Sequence, residues 1–181
     1  MGTNMSIEWG TWTPFEGSPG RPLAEVDRAT ADRYFEQLMT AREARTSALK
    51  RLLAQNGVQI DIDDPGLQRL DDWYRSVVSP SRSEPGRLDD RWYAVGLDVG
   101  LYLGDVIIAR APRVEWRVFT KGRSDASYHR PVLMGFRGVK NSLYNVDPER
   151  LVGIHGHRLV AGDDQPEDHI VQLVGGAVAK A

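Results

Sequence analysis

The sequence predicts an α+β fold, and three observations carry that reading. Apolar residues recur at helical spacing between residues 23 and 78, the short stretches "VEWRVFT" (Val114 to Thr120) and "PVLMGF" (Pro131 to Phe136) read as strands, and an apolar segment with glycines four apart lies between these regions. The implied architecture is a helical N-terminal half packed with a buried glycine-striped helix on a small antiparallel sheet. Its expected organisation is an extended arm over 1–22 and one α+β domain over 23–181. That domain divides into a helical half (23–78), a loop (79–88) and an α/β half (89–181).

The arm is rich in Gly, Pro and Trp, and Trp9, Trp12 and Phe15 of "IEWGTWTPF" are placed to lie against a domain surface. Helix signals follow. Asp27 or Thr30 serves as N-cap, and Tyr34, Phe35, Leu38 and Ala41 are spaced for one face. Thr40 and Glu43 match a capping box, so the stretch reads as two helices or one bent one. Ala48, Leu49, Leu52 and Leu53 continue the apolar face until Asn56 and Gly57, which accept the left-handed conformation that closes a helix. Asp64-Pro65 opens the next helix, because proline at the first helical position forfeits no hydrogen bond. Leu67, Leu70, Tyr74 and Val77 line its face, and "SPSRSEPG" (Ser79 to Gly86) then breaks all periodicity.

"GLDVGLYLGDV" places Gly96, Gly100 and Gly104 at intervals of four. With period two the segment reads as a half-buried strand, although three glycines on one face weaken a strand. As a helix from about Asp89 to Arg110, the same glycines form one stripe that admits a neighbouring backbone, and this reading is preferred. A phosphate-binding loop fits less well, since neither Walker nor dinucleotide spacing is present. In "VEWRVFT", Val114, Trp116 and Val118 alternate with Glu115, Arg117 and Phe119, while the polar "KGRSDASYHR" connects to the second strand. Asp147-Pro148-Glu149 starts a helix whose pattern fades in "GIHGHRL", and Pro166, Glu167 and Asp168 start a last one with Ile170, Leu173, Val174 and Ala177 on its inner face.

Composition narrows the function classes. At 181 residues with 41% hydrophobic and 27% charged residues, the chain matches a globular domain rather than a disordered or fibrous one. No run approaches the roughly 18 apolar residues of a membrane span, and residues 1–20 lack a secretory signal pattern, so a cytoplasmic location is expected. Met1 to Ser6 match the N-myristoylation pattern, with Met5 an alternative start. The chain has no cysteine, which excludes disulfides, thiolate catalysis and cysteine zinc sites and suits a reducing compartment. A net charge of −2 supplies no global attraction to nucleic acid or anionic lipid.

The order of "YLGDVI", the strand around Trp116, a second short strand and "NVDP" resembles a loose group of uncharacterised bacterial domains with a glycine-rich helix, a tryptophan strand and an Asn-x-x-Pro motif. The resemblance runs from about Asp89 to Arg158. It implies an immunity or accessory role in bacterial toxin systems and brings no catalytic residues. The group continues after the proline toward a basic helix, whereas this chain has Gly153, His155, Gly156 and His157 there.

Three sets of residues are candidates for function. Arg117, Lys121, Arg123, His129 and Arg130 belong to a basic segment that extends to Lys140, and they form the expected binding surface for an anionic partner. With Trp116, Tyr128 and Phe136 interleaved, the same segment is also an alternative nucleic-acid surface. His155 and His157 share a face if their segment is extended, so they are candidate metal ligands for an alternative hydrolase reading. Asp98 and Asp105 flank Tyr102 as a candidate acid/base pair, with a hydrogen-bonded, non-catalytic Asp98 as the preferred reading. No Gly-x-Ser-x-Gly or His-Glu-x-x-His signature occurs. The preferred function is therefore non-enzymatic, needing no cofactor and acting through a protein partner.

Overall fold

A computed structural model describes residues 7–181, so the lipidation pattern at Met1 to Ser6 lies outside the described residues. Among the described residues the chain forms five α-helices and a two-stranded antiparallel sheet, an α+β fold. The arm is docked as its aromatic content implies. Trp12 is buried, its indole packs against Trp9, and Trp9 in turn meets Trp92 with ring centroids 6.0 Å apart. Asn56 fastens the start of the arm by accepting from the Glu8 N–H and donating to the Glu8 carbonyl, each at 3.0 Å.

Helix α1 (Arg28–Gln55) is one continuous helix rather than two. Asp27 caps it by accepting from the Thr30 N–H, while Thr40 donates to the Glu36 carbonyl one turn back instead of starting a new helix. Ala31, Tyr34 and Leu38 bury one end of its face, and Leu49, Leu52 and Leu53 the other. Asn56 and Gly57 end it, the latter at φ +76°. Helix α2 (Asp64–Val77) is capped by Asp63 and buries Leu67, Leu70, Trp73 and Tyr74. The loop after it is pinned by an isolated bridge between Pro80 and Leu88.

The glycine stretch is helical. Helix α3 (Asp90–Arg110) is buried along almost its whole middle, from Val95 to Gly104. It is long and apolar enough to span a bilayer, which the sequence reading did not expect, yet 72% of its most apolar window lies inside the fold. The glycine stripe receives two different neighbours. A Cβ on Gly100 would stand 2.6 Å from the backbone nitrogen of Glu149, and one on Gly104 would collide with the Cζ2 edge of the Trp116 ring. Any side chain there would drive helix α4 (Pro148–Ala161) or the sheet away from α3.

Strand β1 (Glu115–Val118) pairs with β2 (Pro131–Met134), placing Trp116 opposite Leu133 and Arg117 opposite Val132. Both strands are shorter than the sequence suggests. Phe119 is buried, although the alternation placed it on the side of Glu115 and Arg117. Its N–H still donates to the Arg130 carbonyl at 3.0 Å, while its carbonyl accepts from His129 instead of Arg130, so the regular ladder is broken at this residue. Helix α4 runs through "GIHGHRL", where the sequence pattern fades, because Gly156 lets Tyr74 and Leu88 approach and His155 buries against α2. Helix α5 (His169–Val178) closes the core with Ile170, Val174 and Ala177.

Candidate functional site

The connection between β1 and β2 is not uniformly solvated. His129 is buried with a left-handed backbone at φ 64°, a conformation rare for a side chain of this size and held by the surrounding contacts. Its N–H donates to the Phe119 carbonyl at 2.7 Å, its ring stacks on Tyr128, and its Nδ1 lies 3.2 Å from the Val26 carbonyl. Arg130 is turned inward as well. Its guanidinium donates to Asp147, the residue that caps α4, and to Glu149 in the first turn of that helix. Burial favours neutral Glu149 and raises its pKa against the opposing charge of Arg130. His129 thus joins the loop to the segment that leads into α1, and Arg130 joins it to α4, contrary to the exposure expected of them.

Arg117 projects outward but pairs with Glu115. Lys121 and Arg123 are exposed and form no ion pair among the described residues. Lys121 lines a cleft of about 330 Å³ together with Phe119, Asp125, Leu143 and Tyr144. The far wall of this cleft is a segment whose approach carries exposed Arg137 and Lys140. Lys180 adds a further cation over the Tyr144 ring at 5.5 Å. It is brought there because the Gly138 N–H donates to the Lys180 carbonyl at 2.9 Å. The surface therefore draws on three separated parts of the chain, and the basic segment read from the sequence, Arg117 to Lys140, held no sign of Lys180.

His155 and His157 do not converge. Their segment is helical, so residues two apart point to different sides. His157 meets the Tyr93 hydroxyl at 3.2 Å, whereas His155 is buried and its Nε2 donates to Asp71 at 2.9 Å. No group of three or more His, Cys, Asp or Glu residues able to hold a metal occurs among the described residues. The partner of His155 across space is His169, with ring centroids 4.2 Å apart and planes 13° from parallel. Nearly parallel stacked imidazoles direct their nitrogen lone pairs along separate planes rather than toward a shared ion.

Asp71 is the residue that sequence reasoning missed. It is fully buried and accepts from His155, from Arg75 at 3.0 Å and from the Ile170 N–H at 2.9 Å. Burial opposes its ionised form, but the His155 and Ile170 hydrogen bonds and the charges of His155 and Arg75 hold its pKa below the ordinary 3.8. A signal for it was present. Asp71 stands on the apolar stripe of α2 between Leu67 and Tyr74, where a carboxylate requires partners.

Asp98 and Asp105 both turn toward α1, but Tyr102 does not stand between them. Its hydroxyl donates to the Asp61 carbonyl at 2.7 Å. Asp98 is fully buried and accepts from Arg45 Nε and Trp12 Nε1, both at 2.8 Å, and from Arg45 Nη2 at 2.5 Å. Burial raises its pKa, opposed by Arg45 and then Trp12. Asp105 pairs with Arg42 at 3.3 Å and is also raised by burial. With three donors on a carboxylate shut off from water, Asp98 fastens the arm and α1 to α3. Comparison with protein-family models, curated proteins and solved structures finds no match to this chain.

Proposed function

We propose that this protein acts by binding an acidic protein partner at the cationic surface formed by Lys121, Arg123, Arg137, Lys140 and Lys180. An immunity or accessory role, non-enzymatic and in a bacterial cytoplasm, is the biological setting this reading assigns. The observation that carries it is the division of the basic segment. Arg117 and Arg130 are committed to carboxylates of the same chain, whereas Lys121, Arg123, Arg137 and Lys140 are exposed with no ion pair among the described residues, and Lys121 opens onto a cleft. Leu143 and Tyr144 add apolar surface to that cleft, which suits a polypeptide with acidic and apolar side chains. Unpaired cations around such a surface favour encounter with a partner of opposite charge.

The test uses a fluorescent peptide rich in Glu and Leu and, in parallel, a single-stranded oligonucleotide. The peptide is expected to bind in low salt and to dissociate toward about 1 M salt, where the Debye length is near 3 Å. Combining Lys121→Glu, Arg123→Glu and Lys140→Glu is expected to abolish binding without lowering the thermal midpoint. Preferential oligonucleotide binding lost in the same variant would instead support nucleic-acid recognition. Peptide binding that survives the triple change would overturn the assignment of this surface.

A further inference from the structure

Helix α5 starts at a cluster that belongs to none of the surfaces considered above. Its first residue, His169, stacks on buried His155 of α4, and His155 in turn donates to Asp71 of α2. The second Asp71 oxygen accepts from the Ile170 N–H and so supplies the N-terminal cap of α5 from another helix. Asp168, at the usual capping position, makes no side-chain bond to the helix backbone. One carboxylate therefore holds both the histidine beneath α5 and the first turn of α5 itself.

We propose that this cluster is an acid-sensitive latch, and that α5 is released from α2 and α4 as the His169 imidazole takes up a proton. The geometry leaves no good place for the additional charge. His155 is 1% exposed and its ring is fixed by the Nε2 bond to Asp71, while its Nδ1 has no hydrogen-bond partner. A proton on His169 places a cation face to face with the His155 ring and close to Arg75 and Arg158, which lie on α2 and α4. Asp71 is the neighbouring carboxylate that opposes this, and its oxygens are already engaged by His155, Arg75 and Ile170. Tyr74 of α2 also stacks on His155, and the Tyr93 hydroxyl of α3 engages His157 instead. Glu167 and Asp168 precede His169 on exposed backbone.

Burial lowers the pKa of His169 below 6.5, with the charge of His155 next and Asp71 opposing. A released His169 regains its ordinary value and binds more protons than the docked one. Docking is therefore at full strength above pH 6.5 and weakens as pH falls through that value. Helix α5 is also short enough to respond on its own. Ten residues make a marginal helix in isolation, so loss of the cap and of its packing undoes the element as a unit.

The test is amide hydrogen exchange by NMR on the full chain, taking protection of Ile170 to Val178 relative to Leu49 to Leu53 of α1. Between about pH 7.5 and about pH 5 the protection of α5 relative to α1 is expected to fall, the direction that a His169 pKa lowered in the docked state requires. His169→Gln is expected to remove most of this fall, and His157→Gln to retain it. A constant ratio in the wild type, or an equal fall in His169→Gln, overturns the proposal. Should His169→Gln loosen α5 at neutral pH, the wild-type ring signals decide. His169 must then titrate below 6.5 in step with displacement of the Ile170 amide, and a midpoint at or above 6.5 overturns the latch.

Discussion

Asp98 shows how much a single side chain can hold. Arg45 and Trp12 converge on it from α1 and the arm, and its removal strands a guanidinium that is 12% exposed. Asp98→Ala is therefore expected to cost about 3–5 kcal/mol, the usual range for breaking a buried pair from one side, measurable as a lower urea midpoint. The basic connection offers a contrast between neighbours. Arg130→Glu sets a third carboxylate against Asp147 and Glu149 and is expected to lower the thermal midpoint clearly, whereas Lys121→Glu should stay within about 0.5 kcal/mol of wild type. If both substitutions proved equally mild, Arg130 would not be the tie between loop and α4 that its contacts describe. Within α3, Gly100→Ala presses on the backbone of Glu149, which cannot rotate aside. It should cost about 1–3 kcal/mol. Gly96→Ala meets only Val152, at 3.8 Å, and is expected to be neutral or to gain up to about 1 kcal/mol, so equilibrium unfolding of the two variants reads the stripe directly.

At the scale of elements, the helices differ in what keeps them in place. Helix α3 is held by apolar contact on nearly every side, while α5 depends on an apolar face and a borrowed cap. Helix α5 also carries two glycines, Gly175 and Gly176, where an added Cβ would meet nothing within 4 Å. Unlike Gly100 they admit no close neighbour, so their cost to helix stability has no compensation in the monomer. Gly175→Ala and Gly176→Ala are each expected to stabilise by about 0.4–1 kcal/mol and to slow exchange of the α5 amides. Faster exchange in these variants would show that the exposed face of α5 tolerates no side chain. The long α1 illustrates how packing overrides a local stop signal. Thr40 and Glu43 satisfy the capping pattern, yet Tyr34 and Leu38 on one side and Leu49, Leu52 and Leu53 on the other keep both halves on a common axis.

For the whole molecule, the buried ionisable groups set the dependence of stability on pH, and they do not all act in one direction. His169, lowered from 6.5, withdraws stability as pH falls through that value. Asp98, Asp105 and Glu149 are raised, so the folded chain takes up their protons first, and they return some stability as pH falls toward the carboxylate range. Asp71, lowered from 3.8, acts last, and its contribution is present above 3.8 and lost as pH falls below it. Urea midpoints measured from about pH 8 to about pH 3 should show His169→Gln removing the decline that begins near 6.5 while leaving the low-pH decline intact. Parallel curves for wild type and variant would assign the first decline to other groups.

The sequence by itself determined most elements of this fold, because helix periodicity, caps and strand alternation are local properties. Asp27 as one of two candidate caps, the Asp64-Pro65 start, the Asn56-Gly57 stop and the glycine-striped helix were all legible from neighbours in the chain, whereas Asp63 as the cap of α2 was not. The same reading located the exposed cations Lys121 and Arg123, but it also counted Arg130 and His129 with them, since a residue's charge does not say which way its side chain turns. Only the tertiary structure decided that Arg130 turns to Asp147 and Glu149, that Lys180 crosses to Tyr144, and that His155 finds His169 rather than His157. Asp71 marks the limit most clearly. Its place on an apolar stripe announces that a buried carboxylate needs donors, but His155 and Ile170 lie 84 and 99 residues away, and only the packing of α2 against α4 and α5 brings them to it.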